Sequence, residues 1–369
     1  MADAAPPPAV LHVITSLGLG GAENALTTLL TRTALGHATV GVVSLVPGGA
    51  NADRLRAAAI PTSDLGMRPG CPDPRAISHL ARLIRARQPA IVQSWMYHAD
   101  LLALAATSLS GRRNRPRLVW GVRCSDMDVS RYGPALRWTI KLSAWLSRRP
   151  DALIVNSHAG WAVHAALGYR PKHVEVISNG IDLDRYHPDR ATRRAVRQEL
   201  GIDEDAVVVA NVARRDPMKD HESFLAALAT LPEVTALAIG LGTETLPGRP
   251  NLRRLGARVD VPRLLAACDI IASSSAFGEG FSNALAEGMA AGLIPVATDV
   301  GDSRLIVGDT GPVIPPRDPR ALAEAIGRVS ALPSESRERG GLQARARIES
   351  NFTLGKASDS YMNLYRSLI

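Results

Sequence analysis

Apolar residues in this chain come in short runs, separated by longer amphipathic stretches. Val10-Leu11-His12-Val13-Ile14 is the first run, followed by runs at 39–45, 90–93, 118–122, 152–155 and 174–177. Runs so short and so nearly continuous predict strands buried on both faces. Helical stretches lie between them. Pro74–Arg87, for instance, is apolar at Ile77, Leu80, Ala81 and Ile84, the spacing that turns one helix face to a core. A polar segment at 182–189 contains Pro188, precedes an arginine-rich helix over 192–200, and reads as a linker. The alternation then restarts, with runs at 207–212, 236–239, 269–272 and 294–297. A last helix over 353–368 follows the second series. Strand and helix alternate throughout, which predicts an α/β protein with parallel sheets.

Length agrees with two series, since 369 residues can build two cores. A mean hydropathy of +0.01 fits a soluble enzyme, and no apolar run approaches the ~20 residues needed to cross a bilayer. The first eight residues, ending in Pro6-Pro7-Pro8, have neither a basic nor an apolar region and read as a short disordered tail rather than a secretory signal. Cys71, Cys124 and Cys268 are odd in number and far apart, which suggests neither a disulfide framework nor a zinc site and fits a reducing cytoplasm. Charge changes the picture more. Residues 1–184 carry 20 Lys+Arg against 12 Asp+Glu, whereas residues 185–369 carry 23 of each. A basic first half calls for an anionic partner. The aromatic interleaving of a nucleic-acid binder is missing, so an anionic membrane surface is the better expectation.

Candidate chemistry concentrates in Phe277-Gly278-Glu279-Gly280-Phe281-Ser282-Asn283-Ala284-Leu285-Ala286-Glu287. The segment follows the run at 269–273 and opens a helix over 283–291. The amides of Phe281, Ser282 and Asn283 are expected as first-turn donors, where the helix dipole favours an anion. Glu279 and Glu287 flank that cradle as two separated hydroxyl acceptors. A nucleotide sugar requires this set: phosphate in the middle, ribose at one end, hexose at the other. Lys219 is the second candidate. The chain has 39 arginines and four lysines, so a lysine at a helix start suggests that a compact, rotatable ammonium is wanted. Arg214 stands five residues earlier at a strand end. The plainer reading of both is a solvated pair at a helix start.

Glu279 and Glu287 form a Glu-x7-Glu pattern, which resembles that of the retaining glycosyltransferases of family 4. The resemblance extends to Gly20-Gly21-Ala22-Glu23, Asn156-Ser157, Val176-Ile177-Ser178-Asn179-Gly180-Ile181-Asp182 and Arg214-Arg215-Asp216-Pro217-Met218-Lys219. It implies the GT-B fold: two Rossmann-like parallel-sheet domains facing a central cleft, with the C-terminal helix crossing back to the first. On that reading residues 1–186 plus 353–369 form the acceptor side and residues 187–352 bind the donor. Lys219 and Arg214 would neutralise the departing diphosphate. Glu287 would accept from the ribose and Glu279 from the hexose, with Gly280 letting the backbone come close. Arg258 and Val259 would line the base through their backbone, and Gly20 and Gly21 would face the donor as bare backbone. The donor would be a UDP- or GDP-type sugar, with no cofactor or metal. The acceptor would be a saccharide or lipid-linked saccharide, and the enzyme cytoplasmic, with a peripheral place on the inner face of the cytoplasmic membrane.

Other features are weaker. His98, after the run at 90–93, reads equally as a sugar contact or a structural residue, and Asn156 is a further contact candidate. Many family members carry a histidine where this chain reads Gly121-Val122-Arg123, so Arg123 is expected to stand in for it at the sugar. Gly18-Leu19-Gly20-Gly21-Ala22-Glu23 fails as a dinucleotide fingerprint, because Glu23 occupies the third glycine's place and no carboxylate follows the second strand. Asp126-Met127-Asp128 matches a metal-binding Asp-x-Asp, but the same pattern recurs at 182–184 and 203–205 and is discounted. In 131–149, Trp138, Leu142, Trp145 and Leu146 can share a helix face flanked by basic residues, which suits either an interfacial helix or a core-packed one. Two rival functions stay open: a nucleotide-sugar epimerase on the same fold, and a membrane-associated module without turnover.

Overall fold

The computed structural model describes residues 7–18, 20–68, 73–111, 115–123 and 133–369. Leu19, Cys71, Cys124, the Asp126–Asp128 pattern, Arg131 and the first six residues lie outside them. The chain divides into two compact units, Met1–Gly180 with Leu354–Ile369, and Ile181–Thr353.

The first unit holds seven strands: β1 (Val10–Ile14), β2 (Thr39–Ser44), β3 (Thr62–Asp64), β4 (Ile91–Trp95), β5 (Arg117–Val122), β6 (Ala152–Val155) and β7 (Val174–Val176). All pairings are parallel, in the order β3-β2-β1-β4-β5-β6-β7. Successive side chains leave opposite faces of a strand. Leu11 and Val13 therefore join Val92, Trp120 and Leu153 in one core layer, while Val10 and Ile14 join Val42, Ile91 and Ile154 in the other. Both faces are buried, which explains the continuous apolar runs. The second layer is completed by Tyr361, Leu364 and Tyr365 of the C-terminal helix Leu354–Leu368. That helix thus belongs to the first unit, as the resemblance implies.

The second unit holds β8 (Val208–Val212), β9 (Thr235–Ile239), β10 (Leu252–Gly256), β11 (Ile270–Ser273), β12 (Ile294–Thr298) and β13 (Val313–Ile314). Its order is β10-β9-β8-β11-β12-β13, again parallel. Val208 and Ala210 face one core layer, Val209 the other. The chain enters and leaves this unit side by side: Ile181 bridges Thr353, and its N–H donates to the Phe352 carbonyl at 2.8 Å. The unit therefore starts at Ile181, where the sequence places the division after 186. The reason is Tyr186, which with Ile181 is buried in this unit's core.

Candidate active site

In the second sheet the strand order reverses between β8 and β11, and the loops leaving their carboxyl ends diverge. Such a switch point opens a crevice for a ligand. Both loops carry the charges singled out in the sequence. After β8 come Arg214 and a short 3₁₀ turn, Pro217–Lys219. Pro217 presets the backbone of that turn, and Asp216 caps it, accepting from the Met218 amide at 3.0 Å. The other oxygen of Asp216 receives Arg214 Nη2 at 2.9 Å and Nε at 3.1 Å. Burial raises the Asp216 pKa, but the Met218 amide and the Arg214 guanidinium outweigh it and leave the carboxyl below its ordinary value. Arg214 itself remains 59% exposed.

Lys219 and Glu279 meet across the switch point. The ammonium pairs with Glu279 Oε1, and the two side chains are 18% and 9% exposed. Ser275 Oγ donates to the same carboxylate oxygen at 2.6 Å, and Ser274 Oγ donates to the Lys219 carbonyl at 2.8 Å. The two loops are thus fastened by two hydroxyls that sequence reasoning passed over. Their signal was the run Ser273-Ser274-Ser275 directly after an apolar strand.

The helix after Glu279 spans Asn283–Ala290 with Ser282 as its N-cap, whose side chain makes no capping bond. Its first-turn amides are therefore those of Asn283, Ala284 and Leu285. Of the three amides expected from the sequence, those of Phe281 and Ser282 fall before the helix. The cause is local packing: Phe281 is buried and meets Phe352 edge-on at 5.3 Å, which holds it outside the helical turn. Ala284 and Leu285 N–H groups have no carbonyl ahead of them within the helix, so the anion-binding character sits one to two residues further along. Two glycines bring the parts together. At Gly288 a Cβ would lie 2.5 Å from the Ile271 side chain, so glycine lets the helix press onto β11. Gly301, at φ +62°, passes 2.7 Å from the Gly280 carbonyl, measured from where its Cβ would stand. The Gly280 carbonyl also accepts from the Asp302 amide at 3.0 Å.

Glu287 is partly buried on the same helix. Burial pushes its carboxyl up to about 7, against a hydrogen bond from Tyr186 and the charge of Arg185, which both lower it. Tyr186 is the other functional candidate the sequence reading missed, hidden in what read as a linker. Arg258 ends in a two-point pair with Asp260, at 2.7 and 2.8 Å, and the Val259 side chain is 93% exposed. Neither side chain is held by the Lys219–Glu279 group.

The first sheet has its own switch point, between β1 and β4. Gly20 caps and Gly21 begins the helix Gly21–Arg32 after β1, and nothing lies within 4 Å of a Cβ built on Gly21. His98 is exposed in the first turn of Tyr97–Leu109, after β4. Asn156 follows β6, and its buried Oδ1 has no hydrogen-bond partner among the described residues. Arg123, expected at the sugar, has partners within the first unit. Its guanidinium lies 4.7 Å over Trp95, donates to Tyr361 Oη at 2.8 Å, and also donates to Asn179 Oδ1. An aromatic face and two acceptors hold it, and its bond to Tyr361 ties the C-terminal helix to the end of β5. Among the described residues no group of three or more His, Cys, Asp or Glu is placed to hold a metal, and no helix is long and apolar enough to cross a membrane.

Comparison with known proteins adds to this geometry. A model described as Glycosyltransferase Family 4 matches residues 19–185, and one described as Glycosyl transferases group 1 matches residues 204–331. D-inositol 3-phosphate glycosyltransferase of Mycobacterium tuberculosis is 32% identical over 238 residues, covering 59% of this chain and 49% of the relative. The match thus spans about half the length of the curated relatives. Among solved structures, HepE of Anabaena in complex with UDP and glucose aligns with a TM-score of 0.81 at 22% identity, over 98% of this chain and 100% of that one. A sucrose-phosphate synthase from Thermosynechococcus elongatus aligns with a TM-score of 0.75 at 17% identity, over 97% and 98%. At these identities the likeness shows the fold, which is GT-B.

Proposed function

Since the chain belongs to family 4 of the group 1 glycosyltransferases, we propose that it moves a hexose from a nucleotide diphosphate sugar to an acceptor hydroxyl, with retention at the anomeric carbon. One observation carries the reading: Lys219 and Glu279, sixty residues apart, meet at the carboxyl ends of neighbouring strands beside a helix N-terminus. A diphosphate and a sugar hydroxyl need such a cation, anion and amide set.

In the proposed step the bond from the anomeric carbon to the diphosphate oxygen breaks as the acceptor oxygen attacks the same face. The acceptor proton passes to the departing phosphate oxygen. No carboxylate in the second unit's site stands out as a covalent nucleophile of the kind retaining hydrolases use. The protein's share is electrostatic. Lys219, Arg214 and the first-turn amides of Asn283–Ala290 stabilise charge on the leaving diphosphate. Glu279, Lys219 and Arg214 thus act at the reacting end, and Glu287 holds the ribose. Gly280, Phe281, Ser282, Arg258 and Val259 contribute backbone. From the first unit Gly20 and Gly21 face the donor as bare backbone, and His98, Arg123 and Asn156 serve as sugar or acceptor contacts.

The acceptor we propose is a lipid-linked saccharide of surface-polysaccharide synthesis, reached by a cytoplasmic enzyme resting on an anionic membrane. UDP heads the candidate donors because HepE was crystallised with UDP, with UDP and glucose, and with UDP-glucose; GDP is next. A thermal-shift panel of UDP, GDP, ADP and TDP tests the site. One nucleotide should raise the wild-type midpoint and leave that of Lys219→Ala unmoved. No shift with any of the four would sink the proposal. Nucleoside diphosphate release that needs no acceptor would favour the epimerase instead.

A further inference from the structure

Three large apolar side chains stand in solvent on the helix Pro134–Leu146 of the first unit. Trp138 is 71% exposed, Leu142 45% and Trp145 76%. Their spacing, four and then three residues, makes one stripe along the helix. Ile140, Ser143 and Ala144 are buried on the other side, and Leu136 and Leu146 pack partly against the core. Leu146 therefore leaves the face that its spacing had allowed it to share. The helix meets its packing needs on one side and keeps an unmatched indole stripe on the other.

The stripe is rimmed by cations. Arg137, Lys141, Arg148 and Arg149 are all exposed, and Lys141 Nζ lies 5.4 Å from the Trp138 ring centroid. No Asp or Glu occurs between Gly133 and Pro150. Arg148, one turn beyond Trp145, also lines an open cavity of about 710 Å³ together with Trp161, Tyr169, Arg170 and Lys172. Arg170 spends its Nη1 on the Ala165 and Tyr169 carbonyls, at 2.8 and 2.7 Å. Arg148 and Lys172 are thus the cavity's available cations.

We infer that this face docks on an anionic lipid bilayer, with Trp138, Leu142 and Trp145 entering the interface and Arg148 and Lys172 taking a headgroup phosphate. Indoles favour the headgroup level, and basic residues add attraction to anionic lipid. A second copy of the chain fits less well, because a two-fold contact would set the same four cations against one another. Topology keeps the phosphate end of this surface apart from the candidate active-site residues. Arg148 and Lys172 precede β6 and β7, while Gly20, His98, Arg123 and Asn156 follow the strands at the opposite end of that sheet. The inference deepens the proposed membrane-held acceptor and rests on it for its purpose. Its test reads vesicle binding and not transfer, so either can fail alone.

The full chain is sedimented with vesicles of phosphatidylcholine alone and of an equal mixture with phosphatidylglycerol. Binding is expected to the anionic vesicles only and to weaken with salt. Trp138→Ser/Trp145→Ser should weaken it about tenfold or more, and Arg148→Glu/Lys172→Glu should remove its salt-sensitive part. All four side chains are exposed or rim an open cavity, so the variants should melt with the wild type. Wild type that ignores anionic vesicles, or variants that bind as it does, would overturn the inference. So would a wild-type dimer in sedimentation velocity that the tryptophan variant splits, without vesicle binding.

Discussion

Two ionic groups tie β8 to β11, one at each end of the strands. At the amino ends, Asp269 accepts from the Val208 amide at 2.8 Å, Arg197 Nη2 at 3.0 Å and Arg193 Nη2 at 2.8 Å. Arg197 is 1% exposed and spends its remaining donors on the carbonyls of Ala267, Asp203, Glu204 and Ala206, at 2.6 to 3.0 Å. At the carboxyl ends stand Lys219, Glu279 and, still largely in solvent, Arg214. Both groups join cations to carboxylates across the same strand pair. They differ in where the donors go. The Arg197 fork is used up on four carbonyls and the Asp269 carboxylate, whereas the Lys219 ammonium meets one carboxylate at the loop ends. A charge group whose donors all end on backbone carbonyls and a largely buried carboxylate has nothing left for a ligand. Satisfaction, more than charge or burial, separates the structural cluster from the candidate site.

The largest way to break this contrast is Arg197→Ala. It leaves the Asp269 carboxylate and four carbonyls short of a buried donor, and should cost about 3–5 kcal/mol. Urea denaturation reads it directly. Arg197→Lys should rescue little, because one ammonium cannot reproduce a five-donor fork. A loss below about 1 kcal/mol would mean that the cluster is not structural in this sense.

Lys219→Ala comes next and should separate activity from stability. Transfer should fall about 10²-fold or more, equivalent to roughly 2.7 kcal/mol of transition-state stabilisation. Unfolding free energy should drop less than in Arg197→Ala, since Ser275 still donates to Glu279. Steady-state transfer and urea melts of both variants make the test. If Lys219→Ala unfolds as readily as Arg197→Ala while turnover per folded molecule persists, the two ends of the strands do the same work and the contrast fails.

What the sequence revealed follows the same physics. Central strands were legible because both their faces are buried, which leaves an unbroken apolar run. The three strands that escaped, β3, β10 and β13, are all sheet edges. β3 and β13 have only three and two residues, and β10 carries Arg253 and Arg254, as edges do when they resist further pairing. Lys219 and Glu279 were legible as residue types at strand ends. Their mutual pairing was not, because sixty residues separate them and only the β8–β11 pairing brings them together. Arg123 is the reverse case. A motif position suggested a sugar contact, and only the fold revealed its partners Trp95, Asn179 and Tyr361.

Tyr186 is a subtler case, and it yields the smallest predicted effect. A tyrosine in a polar stretch gives no signal of function, yet its hydroxyl bonds to Glu287. Glu287 has its pKa raised to about 7 in the folded protein from an ordinary 4.5. The folded state therefore holds this proton more tightly than the unfolded chain. Its stability contribution falls as pH rises from about 4.5 to about 7, and the full penalty stands above that range. Glu287→Gln should thus stabilise the protein at pH 8 by about 2 kcal/mol, and by little at pH 4.5; the whole shift would carry roughly 3 kcal/mol, reduced because the carboxyl keeps some exposure. Nucleotide binding should change in the opposite sense. Ribose hydroxyls donate to the ionised carboxylate, so wild-type affinity should weaken as pH drops through 7, and that of Glu287→Gln should be lower and flat. Calorimetric titration between pH 6 and 8, beside urea melts over the wider range, reads both. A variant that is less stable at pH 8 and binds nucleotide normally would place Glu287 with Arg197, as a strut. A variant that gains stability while losing affinity would mark it as a group the fold tolerates at a cost because a ligand needs it.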